Sequence, residues 1–398
     1  MLQLSFVNFR KDNYILVEGK EDFELFYIIQ SGHVKLSSAT SKSQPTVLGP
    51  GDFIGVIACM SQHPQMETCV AMSDVVCIVV RRDQYIELIE KNTPVAMKII
   101  RTFAQRMRLL NETLMQQTLS NAPSENFVQM FNVAEYFDGQ QQFDIAFFAY
   151  YQYLKVQKDG PLAQKALKRI AVLQKRTHAV YIEPSQDMLR SYPANTMIFS
   201  ESQSGADMFV IQSGSVKISK IVDGTEVTLA VLKKGDMFGE MALLENKPRS
   251  ASAIAKEDCM LMTINKSNFE QMVSSQPQLI ARLTNTLAER LWSMHRQLAN
   301  TLLSGNHLAK MTDMLALQVE KNRIVISKNT QYQTNLTVED LATMCGFTKD
   351  EQARAIYDFT HSPLIKLEKG KIFIPDCLEL LKQAAFYRKQ VAKANGTL

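Results

Sequence analysis

Apolar and polar residues alternate over short stretches in two parts of the chain, and the two parts resemble each other. ELFYIIQSGHVKL at residues 24–36 returns as ADMFVIQSGSVKI at residues 206–218. In each copy a glycine ends the alternating run, Gly32 or Gly214, and a Gly-Asp pair follows. Short alternating runs broken by turn residues are typical of β-strands. The pattern therefore predicts two copies of one β-rich domain, folded as a β-roll or jelly roll.

A stretch with helical periodicity follows each predicted β-roll. Its apolar residues recur at three- and four-residue intervals, which predicts a long amphipathic helix. The positions are Ile100, Phe103, Met107, Leu110 and Leu114 after the first copy, and Leu283, Leu287, Leu291, Met294 and Leu298 after the second. Two interpretations are open: the helices pair as coiled coils, within the chain or in a homodimer, or each covers its own β-roll.

The segment between the copies, residues 126–175, is helical in pattern. EYFDGQQQFDIAFFAYYQYL places Ala146 and Ala149 at the spacing of a helix hairpin, with Gly139 at the turn and Gly160-Pro161 at the end of the second helix. It resembles a single tetratricopeptide repeat. Such units need stacked neighbours to form a groove, so we expect a structural spacer here rather than a peptide-binding site.

The C-terminal part predicts a winged helix-turn-helix. LTVEDLATMCGFTKDEQARAIYDF reads as a helix, a turn at Gly346 and a second helix, with Thr337 as N-cap. LIKLEKGKIFIPD at residues 364–376 then predicts a strand pair that turns at Lys369-Gly370. The expected fold class is α+β, with a β-roll and helix at 1–120, a helical linker at 121–182, a second β-roll and helix at 183–303, and the winged helix at 304–398.

Composition indicates where the protein is located more than which ligand or reaction it is built for. The net charge of +4, from 44 basic and 40 acidic side chains among 398 residues, permits a nucleic-acid partner without requiring one. None of the six cysteines forms a C-x-x-C pair, and no secretory leader or apolar run of bilayer length is present. These features favour a cytoplasmic protein without membrane insertion.

The strongest chemical signal is FGEMALLENKPRSASA at residues 238–253. Gly239 precedes a predicted short helix, whose first backbone amides would point toward an anion. Arg249 carries a planar guanidinium that can bind two phosphate oxygens at once, and Glu240 can accept a hydrogen bond from a hydroxyl. The alternative is that the Glu-Arg pair only stabilises an empty β-roll.

This segment resembles the phosphate-binding cassette of cyclic nucleotide-binding domains, as found in catabolite activator proteins, bacterial Crp/Fnr regulators and regulatory subunits of cyclic-AMP-dependent kinases. The resemblance implies a cyclic mononucleotide ligand, with cyclic AMP favoured over cyclic GMP, whose ribose is held by Glu240 and whose phosphate is held by Arg249. It also implies that the long helix after the roll covers the base, although Trp292 is equally suited to packing. The implied ligand contacts are Phe238, Gly239, Glu240, Met241, Ala242, Arg249, Ser250 and Ala251, with Trp292, Met294 and His295 over the base.

The first copy departs from this pattern at both anchors. Aligning Gly55 with Gly239 puts Val56 in the position of Glu240 and Gln65 in the position of Arg249. A phosphate buried there would lack its charge-assisted partner, so we expect the first copy to keep the fold without binding ligand in the usual way.

The order of β-roll, long helix and winged helix resembles the Crp/Fnr transcription factors over residues 185–385 and implies DNA binding. The predicted recognition helix also carries Asp350, Glu351 and Asp358, whose charges oppose phosphate. The alternative is therefore a protein-interaction scaffold gated by the same ligand. The expected DNA contacts are Thr348, Lys349 and Arg354 on that helix and Lys366, Lys369 and Lys371 on the wing, and further basic residues of the tail, Lys382, Arg388, Lys389 and Lys393, would contact phosphates.

An enzyme is the least favoured function. The six histidines are scattered, and the chain contains no H-E-x-x-H motif, nucleophile elbow or Walker-type loop. We therefore expect no catalytic residue, no metal and no cofactor.

Overall fold

The computed structural model describes residues 4–38, 45–118, 127–181, 187–222, 224–245, 247–303, 305–322, 324–347 and 349–394. Within these ranges, no helix is both long and apolar enough to cross a bilayer.

The first repeat is a roll of two four-stranded antiparallel sheets, ordered β1-β8-β3-β6 and β2-β7-β4-β5. Alternate residues of these strands face the core between the sheets, as the sequence pattern predicts. The strands are β1 Ser5–Phe9, β2 Tyr14–Leu16, β3 Leu25–Ser31, β4 Val34–Ser37, β5 Thr46–Leu48, β6 Phe53–Ile54, β7 Thr68–Ala71 and β8 Val75–Arg81. Helix α1 (Val56–Ser61) follows β6, and α2 (Tyr85–Lys91) and α3 (Thr93–Thr118) follow the roll.

The second repeat has the same topology, because its sheets are ordered β14-β11-β16-β9 and β10-β15-β12-β13. The predicted duplication is therefore present in the strand order as well as in the sequence. The strands are β9 Leu189–Tyr192, β10 Met197–Phe199, β11 Met208–Ser213, β12 Val216–Val222, β13 Thr225–Leu232, β14 Met237–Phe238, β15 Ser252–Ala255 and β16 Cys259–Ile264. The linker helices α4 (Phe127–Gly139), α5 (Phe143–Val156) and α6 (Ala163–Leu173) precede them, α7 (Glu240–Glu245) follows β14, and α8 (Lys266–Ser275) and α9 (Pro277–Thr301) follow the roll.

The linker helices share a core with the second roll. Met197, Ile221 and Ile254 of the roll belong to the same buried cluster as the aromatic residues of α4 and α5. Gln129 donates a hydrogen bond to the backbone oxygen of Ile221 at 2.9 Å, and Gln152 donates one to that of Met197 at 2.9 Å. Helices α4 and α5 of the linker thus pack against the second repeat.

The C-terminal segment contains the predicted helix, turn, helix and strand pair. Thr337 caps its first short helix in a capping box with Asp340, which confirms the predicted N-cap. The strand pair turns at Lys369 and Gly370, both with positive φ, as predicted. The elements are α10 His307–Lys321, β17 Tyr332–Gln333, α11 Val338–Met344, α12 Lys349–Thr360, β18 Lys366–Glu368, β19 Lys371–Ile374 and α13 Cys377–Ala394, with the strands in the order β17-β19-β18.

The chain divides into two compact units, and the division passes through α9. One unit holds the first repeat up to Arg82 together with Ala288–Leu398, and the other holds Asp83–Leu287. Within the second unit α3 packs against α7 and α8 of the second repeat. The first roll therefore shares its unit with the second half of α9, and the second roll shares its unit with α3, an arrangement that neither sequence interpretation anticipated. The apolar stripe shows that a helix needs a partner surface, but not which surface it takes.

Candidate functional site

The cassette of the second repeat begins at a glycine that cannot be replaced without strain. Gly239 has φ +80°, in the left-handed region, and links β14 to α7. A Cβ at this position would lie 2.7 Å from Nη1 of Arg249 and 3.1 Å from the backbone oxygen of Asp207. Both contacts are closer than packed atoms normally come, so the glycine allows the guanidinium to lie directly against the turn.

Arg249 is buried, with 6% of its surface exposed, and its guanidinium contacts backbone oxygens. Nη1 donates to the oxygen of Gly239 at 2.8 Å and Nη2 donates to that of Asp207 at 2.7 Å. The guanidinium carbon also lies 4.1 Å from the ring centroid of Phe199, a cation-π contact. The buried Nε has no hydrogen-bond partner among the described residues.

Burial also shapes the electrostatics of this arginine. Desolvation lowers the pKa of Arg249 to about 10, while the nearby carboxylates of Asp207 and Glu240 oppose that shift. The group stays charged at neutral pH. Glu240 itself is 2% exposed and begins α7, so the two residues predicted to bind ligand form a buried pair of opposite charges. The structure brings together both anchors that the sequence pointed to.

The other predicted contacts differ in what they touch. Met241, Ala242 and Ala251 are buried beside the anchors, and the Ser250 hydroxyl lies 3.7 Å from the sulfur of Met241. Phe238 instead stacks on Phe209, with ring centroids 5.2 Å apart, in the aromatic core of the roll. Its effect on a ligand would therefore be indirect, through the packing under Arg249.

Sequence reasoning missed three residues that hold the arginine in place. Phe199 lies under the guanidinium, Asp207 accepts its hydrogen bond, and Gly205 leaves space for it, since a Cβ there would come within 2.6 Å of Nε. Gly205 lies in the segment SGADMF, which matches no motif that would have marked it as part of the site. The aromatic and the backbone acceptor become apparent only once β10 and the loop before β11 are placed.

The first repeat keeps the backbone of the cassette and loses its charges. Gly55 has φ +76° before α1, as its counterpart does before α7. The backbone of Gln65 pairs with Gly19 and Lys20 at 2.8 and 2.9 Å, and its side chain donates to the backbone oxygen of Asp22. Val56, buried at the start of α1, offers no acceptor.

The residues predicted to cover the base lie in the unit of the first repeat. The ring of Trp292 stacks on that of His63, with centroids 3.7 Å apart and an angle of 14° between the planes. His295 lies 4.0 Å from a carboxylate oxygen of Glu18, and Met294 is partly buried on the same helix. The cassette with Arg249 belongs to the other unit. The helix that packs on α7 within that unit is α3, and the expected contact of Trp292, Met294 and His295 with the base stays a prediction.

The candidate DNA contacts are mostly exposed. Arg354, Lys366 and Lys369 are exposed and Lys371 is half-buried. Thr348 and the side chain of Lys349 lie outside the described residues.

Arg388 has a structural role that sequence reasoning did not foresee. It pairs with the buried carboxylate of Asp313, which also accepts hydrogen bonds from Arg296 at 3.2 Å and Asn300 at 3.1 Å. Burial raises the pKa of Asp313, but the charges of Arg296 and Arg388 outweigh it and leave that pKa below its usual value. This ion pair joins α13 to α10, and the expected contact of Arg388 with a phosphate stays a prediction.

Comparisons with known proteins agree with this geometry. Residues 6–92 and 189–276 each match the family model of the cyclic nucleotide-binding domain. The chain is 26% identical over 196 residues to a CRP-like cAMP-activated global transcriptional regulator of Mycobacterium tuberculosis, a match that covers 48% of this chain and 86% of the relative. It is 33% identical over 91 residues to a cAMP-dependent protein kinase regulatory subunit of Aspergillus niger, covering 23% and 22% of the two chains.

Among solved structures, a CooA protein from Carboxydothermus hydrogenoformans covers 49% of this chain and is itself covered to 87%, with a TM-score of 0.41 and 18% identity. The predicted pair of cyclic nucleotide-binding domains is confirmed by the family match. The chain thus has two such domains, and the relatives that it resembles include CRP-like regulators and kinase regulatory subunits.

Proposed function

We propose that this protein is a cyclic-nucleotide-responsive, DNA-binding transcription regulator that binds one ligand per chain, in its second repeat. The observation that carries the proposal is the buried pair of Glu240 and Arg249, with the Nε of the arginine left without a partner. A cyclic phosphate would satisfy that donor and accept from the guanidinium, and the carboxylate would accept from the ribose 2'-hydroxyl. Cyclic AMP is favoured because relatives of the chain are named as cAMP-activated.

The helix that covers this site is α3 in our proposal. Arg108 of α3 is buried, and its Nη2 donates to the backbone oxygen of Pro248 at 3.4 Å, immediately before Arg249. Since α3 packs against α7, ligand bound at Glu240 and Arg249 would change the surface on which α3 rests. A ligand that binds one arrangement of these helices better than another shifts their population toward it.

The C-terminal helices and hairpin would then act as a winged helix. In this proposal α12 enters the major groove, and Lys366 and Lys369 on β18 and its turn contact phosphates. Exposure of Arg354 on α12 supports the same orientation.

A specific observation supports the second candidate function, a ligand-gated scaffold that binds protein instead of DNA. The first turn of α12 carries Asp350 and Glu351, and Asp358 is exposed further along the helix. Tyr357 is 65% exposed beside His361, with ring centroids 4.3 Å apart. An exposed aromatic is typical of protein interfaces, whereas acidic side chains would repel the phosphates beside the major groove.

Binding to duplex DNA at a series of salt concentrations, with and without cyclic AMP, separates the two functions. The duplex is selected from a random pool with the ligand-saturated protein. The regulator predicts tighter binding with ligand and a steep fall of affinity with salt, about 0.9 in log-log slope for each phosphate contacted. Lys369→Gln should reduce that slope by about 0.9, whereas Lys328→Gln, at an exposed loop lysine, should leave it unchanged. No selected duplex, or a slope near zero, supports the scaffold instead.

A further inference from the structure

The two cassettes are each touched by the long helix of the other repeat, at equivalent positions of the helix and neighbouring positions of the cassette. Aligning Gly55 with Gly239 pairs His63 with Lys247 and Trp292 with Arg108. Arg108 bonds to the second cassette at Pro248, and Trp292 stacks on the first cassette at His63. The contact on the first cassette is therefore a counterpart of the contact on the ligand site, with an indole in place of a guanidinium.

The contact on the first cassette is buried and specific. His63 is 6% exposed and Trp292 is 3% exposed, and their rings stack nearly parallel. Nε2 of His63 also lies 3.1 Å from a carboxylate oxygen of Glu289, one turn earlier on α9. In the second cassette the counterpart residue, Lys247, is exposed. The histidine thus contacts a ring and a carboxylate of the same helix segment, which fixes both the position and the rotation of that segment.

The same segment of α9 is also fastened to the C-terminal helices. Arg296, one turn after Trp292, bonds to Asp313 at 3.2 Å and to Glu320 at 3.1 Å, both on α10. Asp313 is 1% exposed, so these bonds are shielded from water. The second half of α9 is therefore bound at His63 of the first repeat and at Asp313 of α10.

We propose that the first repeat has become an internal binding site for its own chain, in which the cassette holds the indole of Trp292 at the position where the second cassette contacts Arg108. Loss of the two ligand anchors, Val56 for glutamate and Gln65 for arginine, fits this role, because the site needs no phosphate. The consequence is that the first repeat, the second half of α9 and the C-terminal helices move as one body. This inference does not depend on nucleotide binding in the second repeat.

Trp292 is the only tryptophan of the chain, so its emission reports this contact alone. In the full-length protein we expect weak quenching by iodide, since the indole is shielded. His63→Ala should raise the quenching constant several-fold and shift the emission to longer wavelength. His63→Phe, which keeps a ring but loses the bond to Glu289, should restore most of the shielding. His33→Ala, at an exposed histidine of the same repeat, should behave as wild type.

Two further measurements complete the test. Circular dichroism and thermal melting show whether His63→Ala remains folded; if it does not, the wild-type protein decides, because strong iodide quenching of its indole would overturn the contact. Hydrogen-deuterium exchange of the α10 peptide that contains Asp313 should become faster in His63→Ala, because the contact between the first cassette and Trp292 is lost. A folded His63→Ala protein with a fully shielded indole overturns the binding site. An exposed indole with unchanged exchange in α10 overturns the single-body claim. Saturating cyclic AMP should leave the quenching unchanged, and exposure of the indole by the nucleotide would overturn the ligand-independent role.

Discussion

Replacement of Arg249 tests the candidate site most sharply, because its contacts allow the size of the effect to be worked out. Arg249→Gln removes the only buried cation that the cassette offers to a phosphate. A hydrogen bond to a charged group contributes about 1.5–3 kcal/mol, so the loss of two such bonds costs about 3–6 kcal/mol. At about 1.4 kcal/mol for each tenfold change, affinity for cyclic AMP should fall about 100- to 10,000-fold. Arg249→Lys keeps the charge without the fork and should lose about 10- to 100-fold.

The assay is isothermal titration of the full-length protein with cyclic AMP. Lys247→Gln is the matched control, since it removes one positive charge from the same cassette at an exposed position. Arg249→Gln also leaves the carbonyls of Gly239 and Asp207 without their partner, so its melting temperature must be measured alongside. A folded Arg249→Gln protein that binds cyclic AMP within about threefold of Lys247→Gln would refute the assignment, since even one lost charged bond is worth about tenfold.

Three further predictions follow from other parts of the molecule. Val56→Glu with Gln65→Arg restores both anchors to a cassette whose backbone is already in place, so equilibrium dialysis should find a second cyclic AMP per chain in the double variant only. Burial raises the pKa of Glu201, although its pairing with Lys220 opposes the shift. The folded state therefore binds this proton more readily than the unfolded chain does. The free energy of unfolding should fall as pH rises from about 4.5 through the raised pKa. Urea melts across that range should show a shallower decline for Glu201→Gln than for the wild type. Burial raises the pKa of the Cys59 thiol to about 12, so iodoacetamide at about pH 8 should label it only after unfolding, and rapid labelling of the native protein would contradict this.

The duplication and the two ligand anchors could be predicted because both are local in sequence. The strand alternation repeats, and Glu240 and Arg249 lie within one short segment. The helices could be predicted as elements, but their partners could not. An apolar stripe such as that of α3 specifies how much surface must be covered, whereas the surface that covers it depends on loops far along the chain.

The partners of individual side chains could not be predicted from the sequence either. Arg388 looked like one of several basic residues of a tail, and its ion pair with Asp313 becomes visible only when α13 lies beside α10. Likewise Trp292 could be predicted to cover the base or to pack, but its stacking partner, His63, could not be predicted, because no motif had singled it out. Long-range pairs of this kind leave no periodic signal, because the two residues are separated by most of the chain.

The number of cyclic AMP molecules bound per chain tests the central claim most directly. Equilibrium dialysis of the full-length protein with labelled cyclic AMP should find about one per chain in the wild type, and none in Arg249→Gln at ligand concentrations that saturate the wild type. Two bound ligands in the wild type, or one that survives in Arg249→Gln, would contradict an account in which only the second repeat binds.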